Sequence, residues 1–70
     1  MNRDPVASSN LVSVGYDMDS ETLEIEFANG TVYQYYNVAQ GVYDEFMASP
    51  SLGSFLNAYI RNAYPYSRVG

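Results

Sequence analysis

Asn29-Gly30 stands between two strand-like runs, and no other feature limits the fold of this chain as strongly. Before it, Leu23, Ile25 and Phe27 alternate with Thr22, Glu24 and Glu26, the pattern of a half-buried strand. After it, Thr31 to Tyr36 forms a tyrosine-rich strand. An Asn-Gly pair in this setting favours a two-residue type I′ hairpin, which needs positive φ at both positions. That loop would set Phe27 opposite Val32, Glu26 opposite Tyr33, Ile25 opposite Gln34, Glu24 opposite Tyr35 and Leu23 opposite Tyr36. Directly opposed residues share a face. The expectation is therefore that Leu23, Ile25, Phe27, Val32 and Tyr36 face the core. Tyr33 and Tyr35 face outward beside two glutamates, as a stacking platform or an interface.

The rest of the chain fits around this hairpin. Val12, Val14 and Tyr16 alternate with Ser13 and Gly15, predicting a first strand over 11–17, and Asp17 to Glu21 reads as a polar turn. Val42 with Phe46 and Tyr43 with Met47 predict a helix over 40–48, broken by Ser49-Pro50-Ser51. Leu52, Phe55, Leu56, Tyr59, Ile60 and Ala63 then form one apolar helical stripe, stopped near Tyr64 by Pro65. The predicted fold is α+β: a three-stranded antiparallel meander packed on one face by two α-helices. It occupies a single domain, with an N-terminal arm over 1–9, the meander over 10–37, the helical pair over 38–64 and a tail over 65–70.

Composition removes most chemistry. The 70 residues include no Cys or His, so disulfides and the two commonest zinc ligands are absent. Asp17, Asp19 and Glu21 resemble part of a calcium loop but lack its glycine and later glutamate. Glu24 and Glu26, two apart on a strand, read as an exposed face with no reason for a shifted pKa. Ser8, Ser9 and Ser13 have no histidine to activate them. No catalytic residue, metal site, cofactor or enzymatic activity is expected. A core this small gains from self-association, so a homo-oligomer is expected. Neither a signal peptide nor a membrane-length apolar run is seen, so a cytoplasmic protein is expected. The net charge of −5 disfavours a long polyanion as partner.

The helix face opposite the stripe holds Ser54, Asn57, Arg61 and Tyr64, and Arg68 follows in an aromatic tail with Tyr66. An amide can read a base edge, arginine can clamp a phosphate, and tyrosine can stack on a base. The plainer reading is a solvated helix face. Against it stands economy, because Arg61 and Arg68 are the only basic residues after position 3.

Ser8-Ser9, Val14-Gly15-Tyr16-Asp17, Leu23-Glu24-Ile25-Glu26-Phe27, Asn29-Gly30, Tyr33-Gln34-Tyr35 and Asn37-Val38 occur in the order of the KTSC domain, which this sequence resembles. Tyr43, Ser51, Gly53, Phe55, Asn57, Ile60-Arg61 and Tyr64 extend the resemblance to nearly the whole chain. The family is named for a domain at the C-terminus of some lysyl-tRNA synthetases and also includes stand-alone bacterial and phage proteins. The resemblance reaches small phage anti-defence proteins that sequester nucleotide signals as oligomers, without catalysis, in the cytoplasm of a bacterial host. It implies that Asn57 and Arg61 sit near the ligand. The leading expectation is a non-catalytic module that sequesters a small nucleotide such as a cyclic oligonucleotide. One rival is an RNA- or tRNA-binding domain with Tyr33 and Tyr35 as its platform. Another is a protein-interaction or inhibitor module using the same tyrosines as a hot spot.

Overall fold

The computed structural model describes residues 1–70. At the hairpin, the Gly30 N–H donates to the Phe27 carbonyl at 2.9 Å, and the Phe27 N–H donates to the Thr31 carbonyl at 2.8 Å. The loop is thus three residues, Ala28-Asn29-Gly30, closed as a type I turn with Gly30 at φ +89°. Asn29 keeps a negative φ, so the type I′ loop does not form. Its side-chain oxygen instead accepts from the Thr31 N–H at 3.1 Å and from the Thr31 hydroxyl at 2.7 Å.

One extra loop residue slips the register by one and exchanges the two faces of the following strand. β3 (Thr22–Phe27) pairs with β4 (Val32–Tyr35) as Glu26↔Val32, Ile25↔Tyr33, Glu24↔Gln34 and Leu23↔Tyr35. Tyr33 and Tyr35 therefore face the helices with Ile25 and Leu23, correcting the outward placement. Val32 lies on the opposite face, and Tyr36 follows the strand rather than joining the core.

The sheet has five antiparallel strands in chain order, not three. β1 (Asp4–Pro5) pairs with β2 (Leu11–Asp17), and β5 (Tyr66–Arg68) pairs with β4. Both extra strands come from the predicted arm and tail. At two and three residues they are too short to show alternation. A bulge between Leu11 and Ser13 leaves Val12 44% exposed rather than inward. Gly15 lies under the arm, where a Cβ would come within 2.6 Å of the Asn2 carbonyl oxygen.

Asn37, at φ 62°, turns the chain from β4 into α1 (Gln40–Ala48). Ser51 caps α2 (Leu52–Phe55), its hydroxyl accepting from the Ser54 N–H at 3.4 Å. The helix then widens into a π-helical turn, Leu56–Ile60, in which the Arg61 N–H reaches back five residues to the Leu56 carbonyl at 2.8 Å. This widening breaks the predicted stripe. Leu56 and Ile60 are buried, but Tyr59 is 64% exposed and Ala63 faces solvent. The helix ends at the π turn, short of Tyr64.

The core is Leu11, Val14, Leu23, Ile25, Tyr35, Val38, Phe46, Leu56 and Ile60. Burial of each large apolar side chain contributes about 1.5–3 kcal/mol. The Tyr16 ring stacks on Tyr43 at 4.4 Å, and its hydroxyl donates to the Val38 carbonyl, tying β2 to the start of the helical half. No helix is long and apolar enough to cross a membrane.

Gly30→Ala has open space for its methyl group and strains only the backbone. It should cost about 1 kcal/mol in urea denaturation, and Gly30→Asn should cost less, because asparagine tolerates positive φ. An Ala variant as stable as the parent would rule out the left-handed turn.

Candidate ligand cleft

A cleft of about 1340 Å³ opens between the helix-facing side of the sheet, the segment before β2, and the α1–α2 connection. Its aromatic floor follows from the β4 register. Tyr33 and Tyr35 share a face two residues apart, and Tyr66 of β5 lies opposite Tyr35. The three rings form a triangle: Tyr33–Tyr35 at 6.4 Å, Tyr33–Tyr66 at 5.9 Å and Tyr35–Tyr66 at 6.0 Å. Phe27 meets Tyr33 edge-on at 5.7 Å. Tyr35 is 3% exposed and belongs to the core, whereas Tyr66 is 59% exposed and open to a ligand.

Arg61 stands above this floor. Burial pushes the Tyr35 hydroxyl above its ordinary pKa, the Arg61 guanidinium pulls it back, and Tyr33 and Tyr66 add to the upward push. Within the protein the guanidinium meets only the Asn57 side-chain oxygen, at 3.4 Å. It has no carboxylate partner. Ser54, Asn57, Arg61, Tyr33, Tyr35 and Tyr66 thus line one cleft. Tyr64 and Arg68 do not. Tyr64 packs against the core, and the Arg68 Nε donates to the Gly70 carbonyl at 2.9 Å.

None of the eight carboxylates lines the cleft, although the chain carries a net charge of −5. Serines and asparagines form much of its wall, including Ser8, Asn10 and Ser51. Ser8 and Asn10 were not among the expected cleft residues, because their segment has no periodicity. Their local signal is a serine turn, with the Ser8 hydroxyl accepting from the Asn10 and Leu11 N–H groups at 3.4 Å each.

The acidic side chains of β3 gather on the other face of the sheet. Arg3 donates to Glu24 at 2.6 Å and to the Ser13 hydroxyl at 3.0 Å. Ser13 donates to Glu26 at 2.8 Å, and the Gln34 amide donates to Glu24 at 2.8 Å. Glu24 is not the solvated residue expected. Only 7% exposed, it is pushed up in pKa by burial, but hydrogen bonds from Gln34 and Arg3, with the Arg3 charge, outweigh that and leave it lowered. No three carboxylates converge where a cation could be held.

The arrangement defines a class: a small α+β module with a half-buried polar network behind its sheet and an acid-free, aromatic-floored cleft in front. The KTSC domain profile matches residues 7–64. The crystal structure of a KTSC domain protein from Yersinia pestis superposes with a TM-score of 0.92 at 37% identity, covering 99% of this chain and 97% of that one. A protein of Stutzerimonas stutzeri strain A1501 is 36% identical over 70 residues, 99% of each chain. The lysine–tRNA ligase of Nostoc punctiforme is 32% identical over 54 residues, covering 77% of this chain but 10% of the ligase. This chain belongs to the KTSC domain family.

Because the folded Glu24 carboxyl is lowered, its stabilisation is present above the unfolded value, about 4.3, and is lost as pH falls through the folded value. Arg3→Met should cost about 1–3 kcal/mol at pH 7. The gap to the parent should narrow as pH falls below about 4. Urea denaturation across that range checks the sign, and a pH-independent gap would remove the ion pair as its cause.

Proposed function

We propose that this protein is a non-catalytic binding module whose cleft sequesters a small phosphate-bearing nucleotide, such as a cyclic oligonucleotide signal, in the cytoplasm. The observation that carries the reading is the segregation of charge. In an acidic protein, this cleft of about 1340 Å³ contains no carboxylate, and its one cation, Arg61, has no acidic partner. An anion is favoured there and disfavoured beside the acidic turn over 17–21. Tyr66 offers a face for base stacking, Arg61 a fork for one phosphate, and Asn57 with the surrounding hydroxyls offers donors and acceptors for a base edge or ribose. One guanidinium suits a compact ligand better than an extended polyanion. Sequestration of a nucleotide signal would serve a phage against host defence, and it requires no reaction.

A second reading draws support from the 54-residue match within a lysine–tRNA ligase: the same cleft takes the end of an RNA strand. The two separate by ligand length. Affinity that is already maximal for a cyclic dinucleotide favours the first, and affinity that keeps rising with each added ribonucleotide favours the second.

Arg61 is exposed, so Arg61→Ala should leave the denaturation midpoint unchanged. It should weaken binding of a cyclic dinucleotide by about 10- to 100-fold in isothermal titration calorimetry. Tyr66→Ala should weaken it about 10-fold through lost stacking. Unaltered affinity in both variants would remove this cleft as the site.

A further inference from the structure

β5 ends the sheet with an open edge. Residues of an antiparallel strand turn their backbone groups alternately to the two sides. The Tyr36 N–H donates to the Pro65 carbonyl and the Val69 N–H to the Val32 carbonyl, both at 2.8 Å, so the odd-numbered residues here face β4. Tyr66 and Arg68 consequently aim their N–H and C=O groups away from the sheet. The opposite edge is guarded: β1 has two residues, and its Pro5 has no N–H to offer. Tyr66–Arg68 contains neither proline nor carboxylate, and beside it Val69 is 50% exposed.

We propose that β5 pairs antiparallel with β5 of a second copy of this chain, about a two-fold axis through Ser67. Tyr66 then lies opposite the partner's Arg68, and Arg68 opposite the partner's Tyr66. Both are hydrogen-bonded pairs, giving four backbone hydrogen bonds and one ten-stranded sheet. Charge supports a second copy as the occupant. Two molecules of net charge −5 repel, so a contact between them costs least where side-chain carboxylates are absent. Glu45 is the last acidic residue in the chain, and the edge itself carries Arg68. The symmetric register sets each guanidinium against a tyrosine ring, a cation–π contact, instead of a like charge. Tyr66 and Arg68 lie on the same face as Tyr33 and Tyr35. The partner's Arg68 therefore reaches the rim of the aromatic floor beside Tyr66 and adds a cation to that side of the cleft. The contact is small, so the dimer is a concentration-dependent one.

Ser67 would face its counterpart at a non-hydrogen-bonded position, where Cα atoms lie about 4.5 Å apart, within disulfide range. The parent has no cysteine, so Ser67→Cys introduces a single thiol. Under mild oxidation this variant should form a covalent dimer at least about tenfold faster than Met18→Cys, whose side chain is exposed in a distant turn. Sedimentation velocity of the parent across the micromolar to millimolar range should show a monomer–dimer equilibrium. Arg68→Pro removes one outward N–H and no ladder bond to β4, and it should shift that equilibrium to monomer. A parent that stays monomeric throughout, or Ser67→Cys oxidising no faster than Met18→Cys, would overturn the proposal. If Arg68→Pro fails to fold, the two cysteine rates decide alone. No ligand is used, so the outcome is independent of the nucleotide reading.

Discussion

One left-handed residue, Gly30, decides which side of the sheet the tyrosines occupy. With Asn29 at negative φ, the loop holds three residues, and everything C-terminal to it pairs one place away from the two-residue alternative. Tyr33 and Tyr35 then meet the helices, and Gln34 meets Glu24. The aromatic floor in front and the satisfied carboxylate behind are two results of the same slip. Neither exists in the other register, which would set Tyr35 against Glu24 and leave Gln34 facing the core.

The parts of the fold with strong periodicity were legible. β2, β3 and α1 fall where alternation and four-residue spacing put them. Two kinds of feature were not. Register depended on choosing between two loop types that use the same Asn-Gly pair, a choice made by the φ of one residue. The π turn was also hidden, because a five-residue reach leaves no mark in a pattern of apolar residues; it appears only as Tyr59 and Ala63 turned to water. Ser54, Asn57 and Arg61, placed on one helix face by their spacing, do line one cleft together. Tyr64 fell outside because the helix had already ended. Arg68 fell outside because its side chain turns to the Gly70 carbonyl at the sheet edge.

The three arginines divide the molecule's positive charge by role. Arg3 is held by Glu24 across the back of the sheet, and its contribution is structural. Arg68 turns toward the Gly70 carbonyl at the sheet edge. Arg61, bonded only to an amide, keeps most of its hydrogen-bonding capacity. A guanidinium has five N–H donors. One that spends so few of them on its own chain, above a floor of rings, is the group best prepared to meet an anion.

Strand order has a consequence for assembly of the fold. β1 to β4 each pair with the strand adjacent in the chain, joined by short connections, whereas β5 meets β4 only after both helices have intervened. Closing that longer loop costs more chain entropy than closing the short connections within the meander. The meander and helices can hold Leu23, Ile25 and Phe46 together while the final strand detaches. Tyr66 travels with it. The third ring of the floor is therefore carried by the strand whose pairing closes the longest loop, and amide exchange at Val69, whose N–H is bonded to the Val32 carbonyl, reports how often the cleft stands half-built.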